Sequence, residues 1–436
     1  LFRYYPLEDP SLFAVVYLTS FVNAFNQPLL YDWLTRAWLA AGGDLIVLHR
    51  VIPLLCWLAF LAGLAAAARR LGDGLTVVGV LCLAVAQPVY LYQITSALPH
   101  AFAFPLLIWA FFGLLAGSTW GLAAIALLSG LLYPALAPLT GMILLWQAVF
   151  VERLWRAPAA AKLTRTLVIL ATGAICLWLL FDILKGPDDL GSALAPTQNA
   201  EVYPENGPEG RHFYGVFNPF KYVAAKAFIQ FNLFFENYRL LLLLFYCLIS
   251  FYGVLALPPG SAGRRAVLGF LLCGAVIYGL ALAAQPFMVY RFILYPAFTL
   301  LPLLFVVGLQ SFCNRFAGLL RAPQLAAAVA LVSMVLTLDS FDAKKSGYWW
   351  QLEGETGAIV EFVAEQPPET LVAVWPGDSQ ELELLPYLAR RGLFVSYKAH
   401  YPSYEAHVLE MRARMTALIG AYLAVEPAPL RELYCR

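Results

Sequence analysis

The feature that most constrains the fold is a stretch of 78 residues, 74–151, without a single Asp, Glu, Lys or Arg. Its one histidine is His100. Over the whole chain, 61% of residues are hydrophobic and 13% are charged, whereas soluble domains average about 45–50% and 25%. A soluble chain of 436 residues would form about three domains, and so little charge cannot cover three globular surfaces. The sequence therefore predicts a polytopic membrane protein.

Breaks at 97–100, 117–120 and 133–138 divide the uncharged stretch into four short segments. A helix needs about 20 mostly apolar residues to cross a bilayer core of about 30 Å. Six other segments have the apolar character of a span, at 51–68, 166–181, 240–257, 266–284, 292–312 and 323–338. We therefore expect about ten transmembrane helices.

Short loops rich in Lys and Arg face the cytoplasm in most membrane proteins. Such loops lie at 69–70, 153–165, 264–265 and 315–321. Four predicted spans separate the first basic loop from the second, and two spans separate each later pair of neighbouring loops. Because these numbers are even, all four basic loops are predicted to lie on the same side of the membrane. The acidic N-terminal segment 1–50, the loop 185–239 and everything after residue 338 are then predicted to be outside. Within the first segment, 11–25 and 31–41 are amphipathic and are expected to lie along the membrane interface.

The composition becomes more polar after residue 338. Segments 370–375 and 393–397 are rich in Val and aromatic residues and are predicted strands, whereas 356–364, 381–390 and 403–424 are predicted helices. This alternation favours a small soluble α/β domain. The predicted fold class is an all-α polytopic membrane bundle, residues 1–338, with a C-terminal α/β domain, residues 339–436, on the outer face.

Bulk composition excludes several functions. With 28 basic and 27 acidic residues the formal net charge is +1, so no nucleic-acid partner is expected. The seven cysteines form no CxxC pair, which indicates neither a disulfide framework nor a zinc site. The sequence contains no P-loop, GxGxxG, HExxH or GxSxG motif. Because the chain begins with Leu1, we expect it to be part of a longer protein, with a further span before this residue.

The first candidate site is the acidic pair Glu8-Asp9, predicted to lie on an extended segment at the outer surface. Two adjacent carboxylates can share a divalent cation, or one can act as a base that the other orients. The alternatives are a solvated acidic turn before Pro10 and a helix N-cap at Asp9 or Ser11.

The second group of candidates is cationic or imidazole side chains at the outer ends of spans. Arg291 suits a phosphate or pyrophosphate, which a guanidinium can grip with two hydrogen bonds; the alternative is a membrane anchor whose charge reaches the headgroups. His100 could donate to a phosphate or act as an acid; the alternative is a histidine at the membrane interface whose hydrogen bonds are all made within the protein. The same two interpretations apply to His49. Arg211 and His212, in the long outer loop, are candidate donor-binding residues or solvated charges.

This layout resembles the GT-C superfamily of integral-membrane glycosyltransferases, which use polyprenyl-phosphate sugars. The resemblance rests on Glu8-Asp9 in an outer loop, many short spans and an outer C-terminal domain, and covers essentially the whole chain. Residues 99–105 (Pro-His-Ala-Phe-Ala-Phe-Pro), 131–134 (Leu-Leu-Tyr-Pro) and Gln285-Pro286 with Arg291 are similar to bacterial members.

The resemblance implies transfer of a sugar from a polyprenyl-phosphate sugar lipid to a lipid, glycan or protein acceptor, in a bacterial inner membrane. Asp9 would be the base or metal-orienting carboxylate, Glu8 its partner, and Arg291 the clamp on the phosphate. A divalent cation, Mg²⁺ or Mn²⁺, would be the one cofactor, held by Glu8 and Asp9. The other partners would be membrane lipids.

Two further functions remain open. A transporter or flippase for a lipid-linked or small solute would carry polar residues at mid-span and inverted repeats, but Gln87, Gln93, Thr95 and Gln147 are scattered and no repeat is evident. A non-catalytic relative that serves as an assembly partner is the third possibility.

Overall fold

The computed structural model is mostly helical. It describes residues 4–9, 12–13, 17, 27–95, 98–156, 158–184, 223, 239–284, 289–315, 355–374, 382, 385–396 and 404–424. Before residue 320, the helices are α1 (Tyr5–Glu8), α2 (Leu29–Ala40), α3 (Leu45–Leu71), α4 (Gly74–Ala86), α5 (Pro88–Ile94), α6 (Ala103–Ala116), α7 (Thr119–Leu132), α8 (Ala137–Trp146), α9 (Ala159–Leu184), α10 (Arg239–Ala256), α11 (Ala262–Ala284) and α12 (Arg291–Arg315).

The apolar helices form a membrane bundle, as the composition predicts. Within the described residues, six helical segments are long and apolar enough to cross a bilayer: Leu45–Leu71, Pro99–Ala116, Pro134–Val151, Ala159–Phe181, Ala262–Ala283 and Arg291–Arg315. Shorter apolar helices lie at Gly74–Val85, Thr119–Leu132 and Leu244–Ala256. The predicted span 323–338 lies outside the described residues.

Helix boundaries inside the uncharged stretch lie at the three predicted breaks. At the second break, Gly117 adopts φ +67°, which allows the backbone to leave α6, and the Ser118 side chain caps α7. A fourth break, between α4 and α5, was not predicted. It lies at Gln87, whose extended backbone precedes Pro88, and the proline ring disfavours helical geometry in the residue before it.

Contacts between helix ends show that the basic loops share one end of the bundle. Thr76, in the capping box of α4, donates to Gln310 near the end of α12 at 2.7 Å. A Cβ on Gly263, beside Arg264, would lie 2.9 Å from the Leu71 side chain, and the Arg70 guanidinium lies 5.8 Å from the Phe112 ring near the end of α6. At the start of α7, which follows α6 directly, Thr119 donates to Glu152, and the same carboxylate pairs with Arg165 of α9 at 2.6 Å. We call this the basic end of the bundle, and the other the opposite end.

Helix α12 is the centre of the bundle and α9 is at its edge. In the apolar window of α12, 83% of residues are buried, against 17% for α9. Helix α9 exposes a set of large apolar side chains: Leu163, Leu167, Leu170, Leu177, Trp178 and Phe181. Soluble monomers rarely expose so large an apolar surface, so we expect this face to contact lipid.

The C-terminal residues follow the predicted order of elements with much shorter strands. They form α13 (Glu355–Ala364), β1 (Leu371–Val372), α14 (Leu385–Leu388), β2 (Gly392–Leu393) and α15 (Glu405–Tyr422). The strands pair in parallel over two residues each. The Arg391 guanidinium donates to the Ala364 carbonyl at 2.8 Å and so caps the end of α13. Whether these elements form a separate α/β domain stays a prediction, and the boundary at 338/339 lies outside the described residues.

The two ends of the chain pack against each other in what we call the terminal interface (Tyr5, Tyr17, Tyr387, Arg390 and His407). Tyr5 donates to the Tyr387 carbonyl at 3.0 Å, and the Arg390 guanidinium lies 4.7 Å above the Tyr5 ring. The Tyr17 hydroxyl and His407 Nδ1 are 3.1 Å apart, with stacked rings. The N-terminal segment and the C-terminal elements therefore lie on the same side of the bundle.

Candidate functional site

Helix ends converge on Arg291 at the opposite end of the bundle from the basic loops. Arg291 is the first residue of α12, and Tyr133 follows the last residue of α7. Residues Pro99–Phe102 form a 3₁₀ turn that leads into α6. The site is therefore built on the ends of long helices, which hold their terminal side chains in fixed positions.

Arg291 is half-buried and bound by tyrosines. Its Nη1 donates to the Tyr133 hydroxyl at 2.6 Å, and the Tyr290 hydroxyl also bonds the guanidinium. The Tyr295 ring, one helical turn further along α12, lies 5.9 Å from the guanidinium carbon. The Nε atom is buried and has no hydrogen-bond partner among the described residues.

The charge of Arg291 has no counter-ion within the part of the chain that the structure describes, where the ion pairs join other residues. Tyrosine hydroxyls accept hydrogen bonds from the guanidinium but leave its positive charge in place. A buried charge without an opposite charge is costly. The arrangement thus favours an anion at this position, and the N-terminus of α12 adds a partial positive charge.

An aromatic cluster supports the site from below. The rings of Phe60, Tyr90, Phe104 and Tyr295 have neighbouring centroids 4.9–5.8 Å apart. Tyr90 donates to the Phe298 carbonyl at 2.7 Å, and Tyr295 donates to Gln93 Oε1 at 3.2 Å. These contacts tie α3, α5, α6 and α12 together directly beneath Arg291.

His100 lies in the 3₁₀ turn, half-buried and within electrostatic range of Arg291. Both residues, which the sequence places at the ends of separate spans, therefore lie at the same end of the bundle. Two positions later, the Phe102 ring packs edge-on against Tyr31 of α2, with centroids 6.4 Å apart. This contact connects the surroundings of Arg291 to the N-terminal segment.

The acidic pair sits at the end of one helical turn, so the prediction of an extended segment was wrong for Glu8, whereas Asp9 does have an extended backbone. Pro6, in the first turn of α1, favours helix because its fixed φ suits that position. Glu8 is the last residue of α1, and its side chain lies outside the described residues. Asp9 is half-buried with an extended backbone, and its N–H donates to the Tyr5 carbonyl at 2.9 Å.

Contacts on both sides fix the segment that carries the acidic pair. Tyr4 donates to Asp32 of α2 at 3.0 Å, and Tyr5 belongs to the terminal interface. The Tyr387 hydroxyl in turn lies 3.2 Å from Nδ1 of His49, which is buried in α3. Asp9 and His100 therefore lie at the same end of the bundle, but no described contact joins Asp9 to Arg291.

Other predicted site residues are outside what the structure describes. Arg211 and His212 belong to this group, as does the Glu8 side chain. Among the described residues, no three or more His, Cys, Asp or Glu side chains are grouped to hold a metal ion. A divalent cation at Glu8 and Asp9 stays a prediction.

The tyrosines around Arg291 were not among the predicted site residues. Tyr295 lies four residues after Arg291, and this helical spacing predicts that the two share a face. Tyr133 lies in a different helix, 158 residues away, and no local pattern connects it to Arg291.

Comparisons with known proteins do not assign a family: no family model, no curated protein and no solved structure matches this chain.

Proposed function

We propose that the protein is an integral-membrane glycosyltransferase that moves a sugar from a polyprenyl-phosphate-linked donor to a lipid, glycan or protein acceptor. The observation that carries this proposal is the Arg291 guanidinium, half-buried, bonded to tyrosine hydroxyls and without a described carboxylate partner. When the sugar leaves, negative charge grows on the lipid phosphate. A preorganised guanidinium stabilises that charge in the transition state.

A lipid-linked substrate fits the surroundings of this cation. An apolar groove of about 510 Å³ runs between α8 and α9, and its lining begins at Ala137, four residues after Tyr133. Met142, Leu145 and Leu177 continue the groove along the two helices. In this proposal the polyprenyl tail attached to a phosphate at Arg291 would extend into this groove.

The acceptor hydroxyl needs a base, and we assign this role to Asp9, with Glu8 as its partner. Asp9 is half-buried at the same end of the bundle as Arg291. A carboxylate at this position could take the proton of the attacking hydroxyl directly or orient a Mg²⁺ or Mn²⁺ ion that lowers the pKa of that hydroxyl.

The chemistry takes place on the outer face in this proposal. Basic loops mark the cytoplasmic side, and Arg291 lies at the other end of the bundle. Within the described residues, nine helical segments connect Leu45 to Arg315, counting α4 and α5 as one. If each segment crosses the membrane once, Leu45 and Arg315 lie on opposite sides. The terminal interface places the N-terminal segment and the C-terminal elements on the same side, so the chain must cross the membrane an odd number of further times between α12 and α13. The predicted span 323–338 would be the tenth crossing, and the C-terminal elements would be extracytoplasmic.

Binding and turnover by the purified chain in lipid nanodiscs test the proposal. The probes are a polyprenyl-phosphate hexose, with host membrane lipids as acceptors, and polyprenyl monophosphate alone. We expect Arg291→Gln to weaken binding of both probes. Asp9→Asn should keep binding but lower the turnover rate by about 100-fold or more, the usual contribution of a general base.

Two outcomes would contradict the proposal. Full turnover by an Asp9→Asn, Glu8→Gln double variant would remove the acidic pair from the chemistry. Donor binding with no turnover by the unaltered chain, whatever the acceptor, would favour a flippase or a non-catalytic partner instead.

A further inference from the structure

Tyr133 holds a hydrogen-bond donor that the described contacts leave unused. Its hydroxyl is 2.6 Å from Nη1 of Arg291. A guanidinium has donors and no acceptor, so the Tyr133 oxygen must accept this bond. The hydroxyl hydrogen is then directed elsewhere, and no other described group accepts it. The side chain is 8% exposed, and a buried O–H without an acceptor is costly.

The backbone holds this hydroxyl in place. The Tyr133 N–H donates to the Ser129 carbonyl at 2.8 Å, and the Tyr133 carbonyl accepts from Leu136 at 2.9 Å. Pro134 follows directly and begins a 3₁₀ turn, so its ring restricts the chain on the C-terminal side. Tyr133 therefore reaches Arg291 from a rigid junction between two helices.

We propose that Tyr133 is a second ligand-binding residue, whose hydroxyl donates to a phosphoryl oxygen held by Arg291. The ligand class is a phosphate ester. The Arg291 bond polarises the phenol and makes its O–H a stronger donor, because hydrogen bonds in a chain reinforce each other. The two residues then present an N–H and an O–H side by side to one phosphate. This inference rests on the proposed function only in taking the phosphate to be that of a polyprenyl lipid.

The test measures binding alone, with no sugar transfer, on the full chain in nanodiscs. Three probes separate the sources of affinity: polyprenyl monophosphate, polyprenol of the same length, and inorganic phosphate. Tyr133→Phe removes one oxygen and keeps the ring. We expect it to weaken polyprenyl monophosphate binding about 10- to 100-fold, the usual range for a hydrogen bond to a charged group, and to leave polyprenol binding unchanged. Inorganic phosphate that competes with the phosphorylated lipid would identify the phosphate itself as the recognised group.

Tyr90→Phe is the matched control. Tyr90 is also buried, and its hydroxyl donates to a backbone carbonyl in the cluster beneath the site. We expect this variant to lower the melting temperature without changing the preference for phosphate over alcohol. Equal changes in both variants would make the Tyr133 effect structural and overturn the inference.

The inference and the proposed function can fail separately. If Tyr133→Phe binds polyprenyl monophosphate as tightly as the unaltered chain while Arg291→Gln does not, Tyr133 is not a ligand-binding residue, even if sugar transfer is observed. If Tyr133→Phe loses the preference for phosphate but the unaltered chain transfers no sugar, the binding role stands and the enzymatic function fails.

Discussion

Tyr387 shows how one buried hydroxyl connects the terminal interface to the membrane bundle. Its hydroxyl meets His49 of α3. Burial raises the pKa of Tyr387 to about 12; the nearby Asp44 carboxylate acts in the same direction, and Arg50 opposes it. The folded protein therefore favours the protonated phenol more strongly than the unfolded chain does, where the pKa is about 10.

The sign of this shift predicts a loss of stability in alkali. A group whose folded pKa is raised contributes fully below its unfolded pKa and loses that contribution as the pH rises through the folded value. The contribution of Tyr387 should be constant up to about pH 10 and disappear by about pH 12. At about 1.4 kcal/mol per pKa unit, it amounts to about 1–3 kcal/mol.

Melting temperatures of the unaltered chain and Tyr387→Phe between pH 8 and 12 check this. The difference between the two should narrow above pH 10. Tyr422→Phe is the control, since Tyr422 is 66% exposed. If the melting temperatures of the unaltered chain and Tyr387→Phe change with pH in parallel, Tyr387 is not the source of the loss of stability in alkali.

At the residue scale, the sequence could identify the charged members of the site but not their partners. Arg291 and His100 stand out because ionisable side chains are rare beside apolar spans. The chain has 23 tyrosines, and although Tyr133 lies in the stretch 131–134 that carries part of the resemblance, nothing local connects it to Arg291. Its role depends on a contact between two distant helix ends.

At the element scale, α10 and α12 pack so closely that glycine is required where they cross. A Cβ on Gly308 would collide with the Ile249 carbonyl oxygen, and one on Gly253 with the Leu304 carbonyl oxygen. Small residues of this kind let helix backbones approach closely in membranes. Aromatic contacts of Tyr246 with Phe305 and of Tyr252 with Phe312 show that the two helices run parallel.

Gly308→Ala is therefore expected to destabilise the bundle by about 1–3 kcal/mol, the usual effect of overpacking. Gly279→Ala is the control, since a Cβ there meets nothing within 4 Å, and it should be neutral or stabilising. Thermal unfolding in detergent compares the two. Equal melting temperatures would show that α10 and α12 can separate without loss.

Helix ends were more predictable than strand lengths. Gly117 and the prolines near 99 and 134 mark breaks that local backbone geometry imposes. The strands, predicted at five or six residues, pair over two, because strand length depends on the partner strand and not on local composition. The crossing of α10 and α12 was not predicted, since the sequence does not show which helices are neighbours.

At the scale of the whole molecule, the proposed orientation predicts which residues can be labelled from outside the cell. Residues near the terminal interface should be accessible from outside, and residues in the basic loops should not. Single cysteines in place of Glu365, which is exposed after α13, and Arg265, which is exposed at the start of α11, report the two sides. An impermeant maleimide added to intact cells should label Glu365→Cys. It should label Arg265→Cys only after permeabilisation.

The unaltered chain gives the background, because six described cysteines are free thiols and Cys247 is exposed. Labelling of Arg265→Cys but not Glu365→Cys in intact cells would reverse the orientation and move the Arg291 site to the cytoplasm. The orientation is predictable from sequence because it depends on where charges occur. The packing of residue 5 against residue 387 is not, since it brings together segments 382 positions apart.

The contact between Tyr5 and Tyr387 also sets an order of assembly during biosynthesis. At about 5–20 residues per second, roughly 20 to 80 s separate synthesis of Tyr5 from synthesis of its partner. Throughout that interval the acidic segment can contact α2 through Tyr4 and Asp32 but lacks its contact with Tyr387, while the helices that carry Arg291 and Tyr133 are still being inserted. A chain that ends before residue 385 therefore has both members of the Arg291–Tyr133 pair but lacks the contact of Tyr5 with Tyr387. The contact between Tyr5 and Tyr387 is therefore among the last to form in the folded chain.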